Sequence, residues 1–278
     1  MPRLAVIIVT FNSSGEIGDC LRALPAAASA TPHEVVVVDN ASADGTAALV
    51  RATSPAVRVI DAGGNLGFAR ANNLGIRGTS SDLVLLLNPD TVPQPGAIDA
   101  LVGVLDAQPR VAVAGPRLVD RGGRAELSFG AMIGPLAELR QKFFTVGHDR
   151  GWPVVAAQVE RWTRQPAFPH WVSGACLLIR RSSLEHAGLL DERYFLYTED
   201  VDLCAAVRAQ GGLIRFSPEA QVVHARGASR ATAGSAADLA YRRSQIAFYR
   251  KHHPGWAPVL AMYLMLRGRH PDTSKQDR

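Results

Sequence analysis

The chain has 278 residues, 47% hydrophobic and 20% charged, so it can bury a substantial core and is not disordered as a whole. Its formal net charge of +5 suits anionic ligands or an anionic membrane surface, but it contains no motif for binding RNA or DNA. The three cysteines lie far apart without CxxC spacing, which argues against a disulfide framework or a zinc site and favours a reducing cytoplasm.

The first half of the chain alternates apolar strands with helical patterns. Strands are predicted at residues 4–10, 34–38, 57–61, 82–87 and 111–119, and helices at 15–24, 45–51, 65–77 and 97–105. The short apolar run of the first strand soon becomes polar, so it does not predict a signal peptide. Nearly continuous hydrophobic strands separated by helices predict an α/β fold with a mostly parallel sheet covered on both faces.

The pattern weakens in the second half. Residues 121–170 are rich in Gly, Pro, Arg and aromatics without a strong period, which predicts a loop–helix region that shapes a pocket. After it, strands are predicted at 171–180, 213–216 and 221–224, and helices after a turn within 194–208 and over 231–249.

Polar side chains follow several of these strands. Asp39 follows VVVV, the Asn88-Pro89-Asp90 turn follows LLL, and Glu199-Asp200 open a later helix. In open α/β sheets, ligands bind at the carboxyl edge, and proline stiffens the exit from a strand. Carboxylates gathered at one edge need a compensating cation, and a hard divalent ion often keeps substrate phosphates in its shell. The alternative for the 88–90 segment is a polar turn after a buried strand.

Six segments together resemble the inverting, nucleotide-sugar-dependent glycosyltransferases of family 2, which have the GT-A fold. In chain order they are VIIVTFNSS, VVVVDNASADGT, GGNLGFARANNLGI, LLLNPDTV, WVSGACLLIRRSSLEHAGLLDERYFLYTEDVDLCAAVRAQG and VVHARGAS. Within the family the chain looks most like bacterial rhamnosyltransferases of cell-wall and surface-polysaccharide assembly. The resemblance implies a Rossmann-like catalytic domain over 1–230, with a nucleotide-sugar half to about residue 120 and a smaller acceptor half after it.

The resemblance places a nucleoside pocket at the first strand ends. The residues implied to line it are Thr10, Phe11, Asn12, Asp39, Asn65, and Asn72 or Asn73. Asp39 would accept a hydrogen bond from a pyrimidine base. Its alternative role is to cap the helix that starts near residue 44, and the asparagines could equally cap loops and helices.

The family's DxD motif falls on Asn88 and Asp90. An amide brings no charge to a metal, so Asn88 is assigned to a ribose hydroxyl and metal contact to Asp90 alone. His224 matches a family position that often supplies a second ligand to Mg²⁺ or Mn²⁺. A lone histidine that closes a strand could instead be structural.

Asp200 is the implied general base, because an acceptor hydroxyl is a poor nucleophile until a carboxylate takes its proton. Glu199 is its nearest rival, and Asp202 is expected to project elsewhere and to pair with Arg208 or a backbone group. The alternative for the acidic cluster is a negatively charged first helical turn that complements the helix dipole.

The remaining implied contacts are with the diphosphate and the sugars. Arg226 and Arg230 would clamp the diphosphate, or else be exposed surface charge. Trp171 and Gly174 would face the sugars, although Trp171 could equally be core. The reaction implied is a single displacement with inversion, from a dTDP- or UDP-sugar to a saccharide or polyprenyl-diphosphate-linked acceptor.

The same residues bear on three other functions. A sugar-nucleotide pyrophosphorylase should carry a basic, glycine-rich loop after the first strand, and TFNSSGEIG has no Lys or Arg. A dinucleotide oxidoreductase is disfavoured because GGNLGFARANNLG lacks GxGxxG spacing. A catalytically inactive nucleotide-binding protein stays as an alternative.

The C-terminal residues 231–278 are predicted to form a helical extension. The segment Trp256 to Leu266 is about half the length of a membrane span and is flanked by basic residues. It is typical either of a segment at a membrane interface or of an amphipathic helix packed on the domain. The expected location is therefore the cytoplasm, with peripheral association at the inner face of the plasma membrane as the further hypothesis.

Overall fold

A computed structural model describes residues 2–225 and 228–271, except for the side chains of 228–235. The strands are β1 (Leu4–Thr10), β2 (His33–Asp39), β3 (Arg58–Asp61), β4 (Leu83–Leu87), β5 (Thr91–Pro93), β6 (Val111–Val119), β7 (Phe129–Gly130), β8 (Trp171–Val172), β9 (Cys176–Arg180) and β10 (Leu213–His224). The helices are α1 (Ile17–Ala27), α2 (Thr46–Thr53), α3 (Phe68–Arg77), α4 (Ala97–Ala107), α5 (Pro135–Asp149), α6 (Pro153–Thr163), α7 (Arg181–His186), α8 (Glu199–Ala209), α9 (Ala228–His252) and α10 (Ala257–Leu266).

Eight strands form the central sheet in the order β3-β2-β1-β4-β9-β6-β10-β5. Strand β9 runs antiparallel to β4 and β6, β5 runs antiparallel to β10, and the other pairs are parallel. One face of the sheet packs against α1 and α4 and the other against α3, α8 and α9. The predicted α/β class with a mostly parallel, covered sheet is confirmed.

Three predictions of local structure were wrong. The predicted strand 171–180 is two strands, because residues 173–175 leave the ladder and the Gly174 amide bonds a side chain of α8. The predicted strands 213–216 and 221–224 are one strand, β10, with an irregularity between Ser217 and Gln221. The short strand β5 was not predicted at all. The expected loop–helix region contains α5 and α6, which meet through Phe144 and Trp162 with ring centroids 4.7 Å apart.

A buried ion-pair network fastens α9 to α8. Asp202, 2% exposed, accepts hydrogen bonds from Tyr194 Oη at 3.2 Å, Lys251 Nζ at 2.7 Å and His252 Nε2 at 2.6 Å. Lys251 also donates to Asp191 at 2.9 Å. Burial lowers the pKa of Lys251, but the two carboxylates outweigh it and the pKa rises. The predicted partner of Asp202 was therefore wrong, since the cations come from a distant helix.

Gly67 allows two loops to touch. Its φ of 79° and ψ of 177° are essentially closed to residues with a side chain, and a Cβ there would lie 2.3 Å from the Phe195 carbonyl oxygen. The next amide, Phe68 N, donates to that oxygen at 2.7 Å. This contact joins the start of α3 to the loop before α8.

Gly67→Ala should therefore destabilise the protein by about 3 kcal/mol or more, from backbone strain plus a steric clash. Gly63→Ala is the matched control, because Gly63 also has a positive φ, 72°, but no atom within 4 Å of the added Cβ. It should cost roughly 1 kcal/mol. Urea unfolding of both variants measures the difference, and equal costs would contradict the close approach.

The helix α10 and the residue before it bury some apolar side chains and expose others. Leu264 is 1% exposed, whereas Trp256, Met262 and Leu266 are 52%, 58% and 80% exposed. Within 2–225 and 228–271, no helix has the length and apolar character needed to cross a membrane.

Candidate active site

Asp39 and Thr10 lie side by side where β2 and β1 end. The two residues are paired in the strand register, and Thr10 Oγ1 donates to Asp39 Oδ1 at 2.9 Å. The other carboxylate oxygen of Asp39 accepts from Ser42 N at 3.1 Å. The N-cap of α2 is Gly45, so the alternative in which Asp39 caps that helix is wrong.

The neighbouring turn carries Phe11 and Asn12. The Phe11 ring is 48% exposed, so its face is open to a ligand. Asn12, with a φ of 51°, accepts from Ala43 N through its side-chain oxygen at 2.8 Å. The backbone N–H of Asn12 donates to Ser42 Oγ at 2.9 Å. These bonds tie the turn after β1 to the turn after β2.

Asn40, which is not among the predicted site residues, organises the next loop. Its side-chain amide donates to Asn65 Oδ1 at 3.0 Å, and its oxygen accepts from Leu66 N at 2.8 Å. Asn72 donates to Phe68 O, and Asn73 donates to Leu190 O at 2.8 Å, so both amides bond to the protein. Contacts of Asn65, Asn72 and Asn73 with a nucleotide stay predictions.

Asp90, His224 and Glu126 form a short chain of side chains at the end of β10. His224 Nε2 lies 3.4 Å from Asp90 Oδ1, and His224 Nδ1 lies 3.1 Å from Glu126 Oε2. Burial lowers the pKa of His224, but the two carboxylates outweigh it and raise that pKa to about 9. Glu126 lies in the segment without sequence periodicity, so no pattern pointed to it.

Strand β5 explains why Asp90 reaches His224. After the turn at Asn88 to Asp90 the chain pairs antiparallel with β10, with Thr91 opposite His224. The Asp90 carbonyl oxygen also accepts from Ala225 N at 2.8 Å. The end of β4 and the end of β10 are thus held at the same edge of the sheet.

Asp200 is held by backbone amides. Its Oδ2 accepts from Gly174 N at 2.7 Å, and its Oδ1 accepts from Val201 N at 2.8 Å. A Cβ on Gly174 would lie 3.2 Å from the Asp200 Cβ, so glycine allows this close approach. Burial raises the pKa of Asp200, and the two amides counter the rise.

Glu199, the rival base, is more deeply buried. It is 5% exposed, and its Oε2 has no hydrogen-bond partner among the described residues. Burial, followed by the neighbouring Asp200, raises its pKa to about 8. Tyr197 and Thr198, just before it, have φ values of 70° and 68°, and such strained residues cluster at functional sites. The two backbone amides favour the charged form of Asp200, whereas burial favours the protonated form of Glu199, so Asp200 is the better candidate for the base.

The raised pKa of Glu199 makes stability depend on pH. Between the ordinary value of 4.5 and about 8 the folded state keeps a proton that the unfolded state releases, so stability falls as pH rises through this range. Glu199→Gln removes this loss. Its Tm relative to the unmodified protein should increase from about pH 5 to about pH 8.5 in thermal melts. A difference that does not change with pH would contradict the raised pKa.

One peptide segment connects Asp200 to the turn that carries Asp90. Gly174 bonds Asp200, and the next residue, Ala175, accepts from Asn88 N at 2.9 Å through its carbonyl oxygen. The candidate base and the turn that carries Asp90 are therefore fixed to adjacent residues.

Trp171, 8% exposed, donates from Nε1 to Ala131 O at 2.8 Å. Trp171 is therefore buried, as in the alternative in which it belongs to the core, and contact of Trp171 with a sugar stays a prediction.

The predicted diphosphate clamp consists of Arg226 and Arg230. Arg226 lies outside the residues that the structure describes, and so does the side chain of Arg230.

Comparison with known proteins identifies the family. Residues 5–187 match the model of "Glycosyl transferase family 2". The chain belongs to glycosyltransferase family 2. This glycosyltransferase is therefore neither a pyrophosphorylase nor a dinucleotide oxidoreductase.

Curated relatives extend the similarity past the matched region. The glycosyltransferase is 31% identical over 264 residues to N-acetylglucosaminyl-diphospho-decaprenol L-rhamnosyltransferase of Mycobacterium tuberculosis, which covers 91% of this chain and 86% of the relative. It is 27% identical over 211 residues to the low-salt glycan biosynthesis hexosyltransferase Agl10 of Haloferax volcanii, covering 74% of this chain and 62% of that protein.

Solved structures share the GT-A fold. A mannosyltransferase from Pyrobaculum calidifontis, in complex with GDP-Man and Mn²⁺, has a TM-score of 0.63 at 21% identity and covers 93% of this chain and 68% of its own. TarS of S. aureus, residues 1–349 in complex with UDP-GlcNAc, has a TM-score of 0.58 at 15% identity and covers 86% of this chain and 64% of its own. The predicted GT-A fold is confirmed.

Proposed function

We propose that this glycosyltransferase transfers rhamnose from a nucleoside-diphosphate sugar to a polyprenyl-diphosphate-linked saccharide, with inversion. The observation that carries the proposal is the attachment of Asp200 and of the turn bearing Asp90 to the adjacent residues Gly174 and Ala175. The rhamnosyl donor and the lipid-linked acceptor are taken from the mycobacterial relative's activity. The donor base would be thymine or uracil, with Asp39 as its hydrogen-bond acceptor.

Asp200 supplies the base chemistry. Its carboxylate accepts the acceptor hydroxyl's proton as the oxygen attacks the anomeric carbon from the face opposite the diphosphate. The raised pKa brings this carboxylate closer to the proton affinity that a general base needs. The Gly174 and Val201 amides fix its two oxygens, so the base is oriented before substrate arrives.

The residues at the end of β10 fit a divalent cation that substrate completes. Asp90 and His224 offer one oxygen and one nitrogen 3.4 Å apart, a separation that two neighbouring ligands with bonds of about 2.1 Å can span. Among the described residues no group of three His, Cys, Asp or Glu side chains could hold a metal, since Glu126 bonds the far nitrogen of His224. Diphosphate oxygens would fill the other positions. A bound Mg²⁺ or Mn²⁺ would neutralise charge on the leaving diphosphate.

Glu126 would orient His224 for that role. A carboxylate on Nδ1 keeps a proton on that nitrogen, so that a metal would displace the proton of Nε2 and bind there. Glu126→Gln should weaken Mn²⁺ binding by about 10-fold or more, measured by the electron paramagnetic resonance signal of free Mn²⁺ in the presence of nucleoside diphosphate. Glu185→Gln, at an exposed carboxylate that lies 3.6 Å from Arg181, is the control. Unchanged Mn²⁺ affinity in Glu126→Gln would remove this role.

Membrane association is part of the proposed function. The exposed apolar residues of α10 support contact with a lipid surface, where a polyprenyl-linked acceptor resides. The proposed location is the inner face of the plasma membrane. Co-sedimentation with anionic vesicles should fall when Met262 and Leu266 are both changed to Ser, and equal sedimentation would contradict it.

A donor panel tests the function. dTDP-rhamnose, UDP-galactose, UDP-N-acetylglucosamine and GDP-mannose are screened with Mg²⁺ or Mn²⁺ for thermal stabilisation, then for transfer to a GlcNAc-diphosphate-prenol. The expected result is the largest stabilisation and transfer with dTDP-rhamnose. Transfer from another donor alone would overturn the rhamnosyl assignment, and nucleotide binding without transfer would favour an inactive protein.

A further inference from the structure

A cavity of about 600 Å³ lies between α5, the end of α6 and the segments 127–131 and 165–170. None of the candidate site residues lines it. Its apolar wall is formed mainly by Leu127, Phe129, Leu136, Phe144, Trp162 and Phe168. No Asp or Glu is found among the described lining residues, and Arg140 is the cation in the wall, 5.7 Å from the Trp162 ring centroid. The cavity thus suits an apolar ligand that carries negative charge at one end.

The outer face of α5 continues the apolar character onto the surface. Leu136, Leu139 and Phe143, which follow helical spacing, are 82%, 68% and 53% exposed. The start of α5 is held close to α10, because His253 Nε2 lies 2.7 Å from the Ile133 carbonyl oxygen. The exposed residues of α5 and α10, named here the apolar rim, therefore flank one corner of the molecule. Exposed apolar surface of this kind marks an interaction site.

The cavity is also close in the chain to the candidate base. Gly130 and His170 line it, and Gly130 pairs with Trp171 in the β7–β8 ribbon. At the other end of this segment Gly174 bonds Asp200. Because the chain turns at residues 173–175, the four steps from His170 to Gly174 span at most the roughly 13 Å of an extended chain, within reach of a sugar-diphosphate head group. A ligand with its tail in the cavity could therefore place a sugar near Asp200.

We propose that this cavity binds the isoprenoid chain of the acceptor next to its diphosphate. The inference rests on the proposed function and assigns the part of the protein that recognises the lipid. A long polyprenyl chain exceeds the cavity and would leave it across the apolar rim into the membrane. Arg140 compensates the diphosphate charge where the chain enters.

Binding is tested first without any donor. Farnesyl diphosphate added to the full chain should change tryptophan fluorescence saturably, because Trp162 lines the cavity. Trp162→Phe should remove most of the change, whereas Trp256→Phe, at an exposed residue outside the cavity, should keep it. Inorganic diphosphate should give no change. An equal response to dodecanoate, or a response that survives Trp162→Phe, would overturn the assignment.

Steady-state kinetics then distinguish an effect on acceptor binding from an effect on the chemical step. Ala137, which lines the cavity, and Ala107, which is exposed at the end of α4 and does not line the cavity, are each changed to Phe. Ala137→Phe should raise KM for a GlcNAc-diphosphate-prenol at least 10-fold and leave kcat within 2-fold, whereas Ala107→Phe should change neither. For an acceptor with a phenyl group in place of the prenyl chain, Ala137→Phe should leave KM unchanged.

The two proposals fail differently. If the unmodified protein transfers no rhamnose to either acceptor, the proposed function is wrong, while saturable binding of farnesyl diphosphate still supports the cavity. If transfer occurs and Ala137→Phe affects both acceptors equally or neither, the cavity assignment is wrong. Circular dichroism and thermal melts of Ala137→Phe exclude misfolding as the cause of a raised KM.

Discussion

Asp200→Asn should reduce turnover by at least about 10²-fold while donor binding changes by less than about 2-fold. An amide cannot take the proton of the acceptor hydroxyl. It occupies nearly the same volume as the carboxylate and keeps one of the two hydrogen bonds from the Gly174 and Val201 amides, because it has one acceptor oxygen. Single-turnover transfer measures the loss, and thermal stabilisation by the donor measures binding. Turnover near that of the unmodified protein would show that Asp200 is not the base.

Glu199→Gln is the matched comparison, since the two acids are adjacent at the start of α8. Burial favours the neutral form of Glu199, and its Oε2 has no hydrogen-bond partner among the described residues, so turnover should fall much less than in Asp200→Asn. The acid limb of the kcat/KM profile should lie above the usual range of an aspartate, because the pKa of Asp200 is raised. A reversed order of the two variants would make Glu199 the base.

Asp202→Ala should lower the free energy of unfolding by about 3 kcal/mol. The change removes the partner of Lys251, His252 and Tyr194, and leaves polar groups of α9 facing a buried gap. The expected cost is at the low end of the range for broken buried pairs because Lys251 is 30% exposed and keeps Asp191. Urea unfolding followed by circular dichroism measures it.

Asp19→Ala is the control for Asp202→Ala. Asp19 pairs with Arg22 on the surface of α1, where both side chains are more than half exposed, so the loss should stay below about 1 kcal/mol. Equal losses for the two variants would mean that the Asp202 network does not stabilise the attachment of α9.

Sequence predicted the first half of the fold well because its signals are local. Strands β1 and β4 are fully buried apolar runs, and their periodicity does not depend on distant residues. The break at residues 173–175 could not be predicted in this way, because it depends on a bond between Gly174 and Asp200 across the fold. The same holds for β5, a three-residue strand ending at Pro93 whose pairing is with β10.

The candidate site was predicted unevenly for a similar reason. Asp39, Asp90, Asp200 and His224 were predicted because they stand in segments that resemble a family, and their roles stay predictions. Glu126 and Asn40 act through other side chains, and neither stands in a spacing that indicates its partner. The partners of Asp202 come from a helix about 50 residues later, which no local spacing reveals.

The attachment of Asp200 and Asn88 to neighbouring residues of one segment has a consequence for how such enzymes diversify. Gly174 and Ala175 hold both through main-chain groups, which side-chain replacements in the segment 121–170 leave in place. This segment can then vary to accept new saccharides or lipids without changing the spacing between Asp200 and the turn that carries Asp90. New specificities could therefore arise on this scaffold by exchange of its peripheral parts.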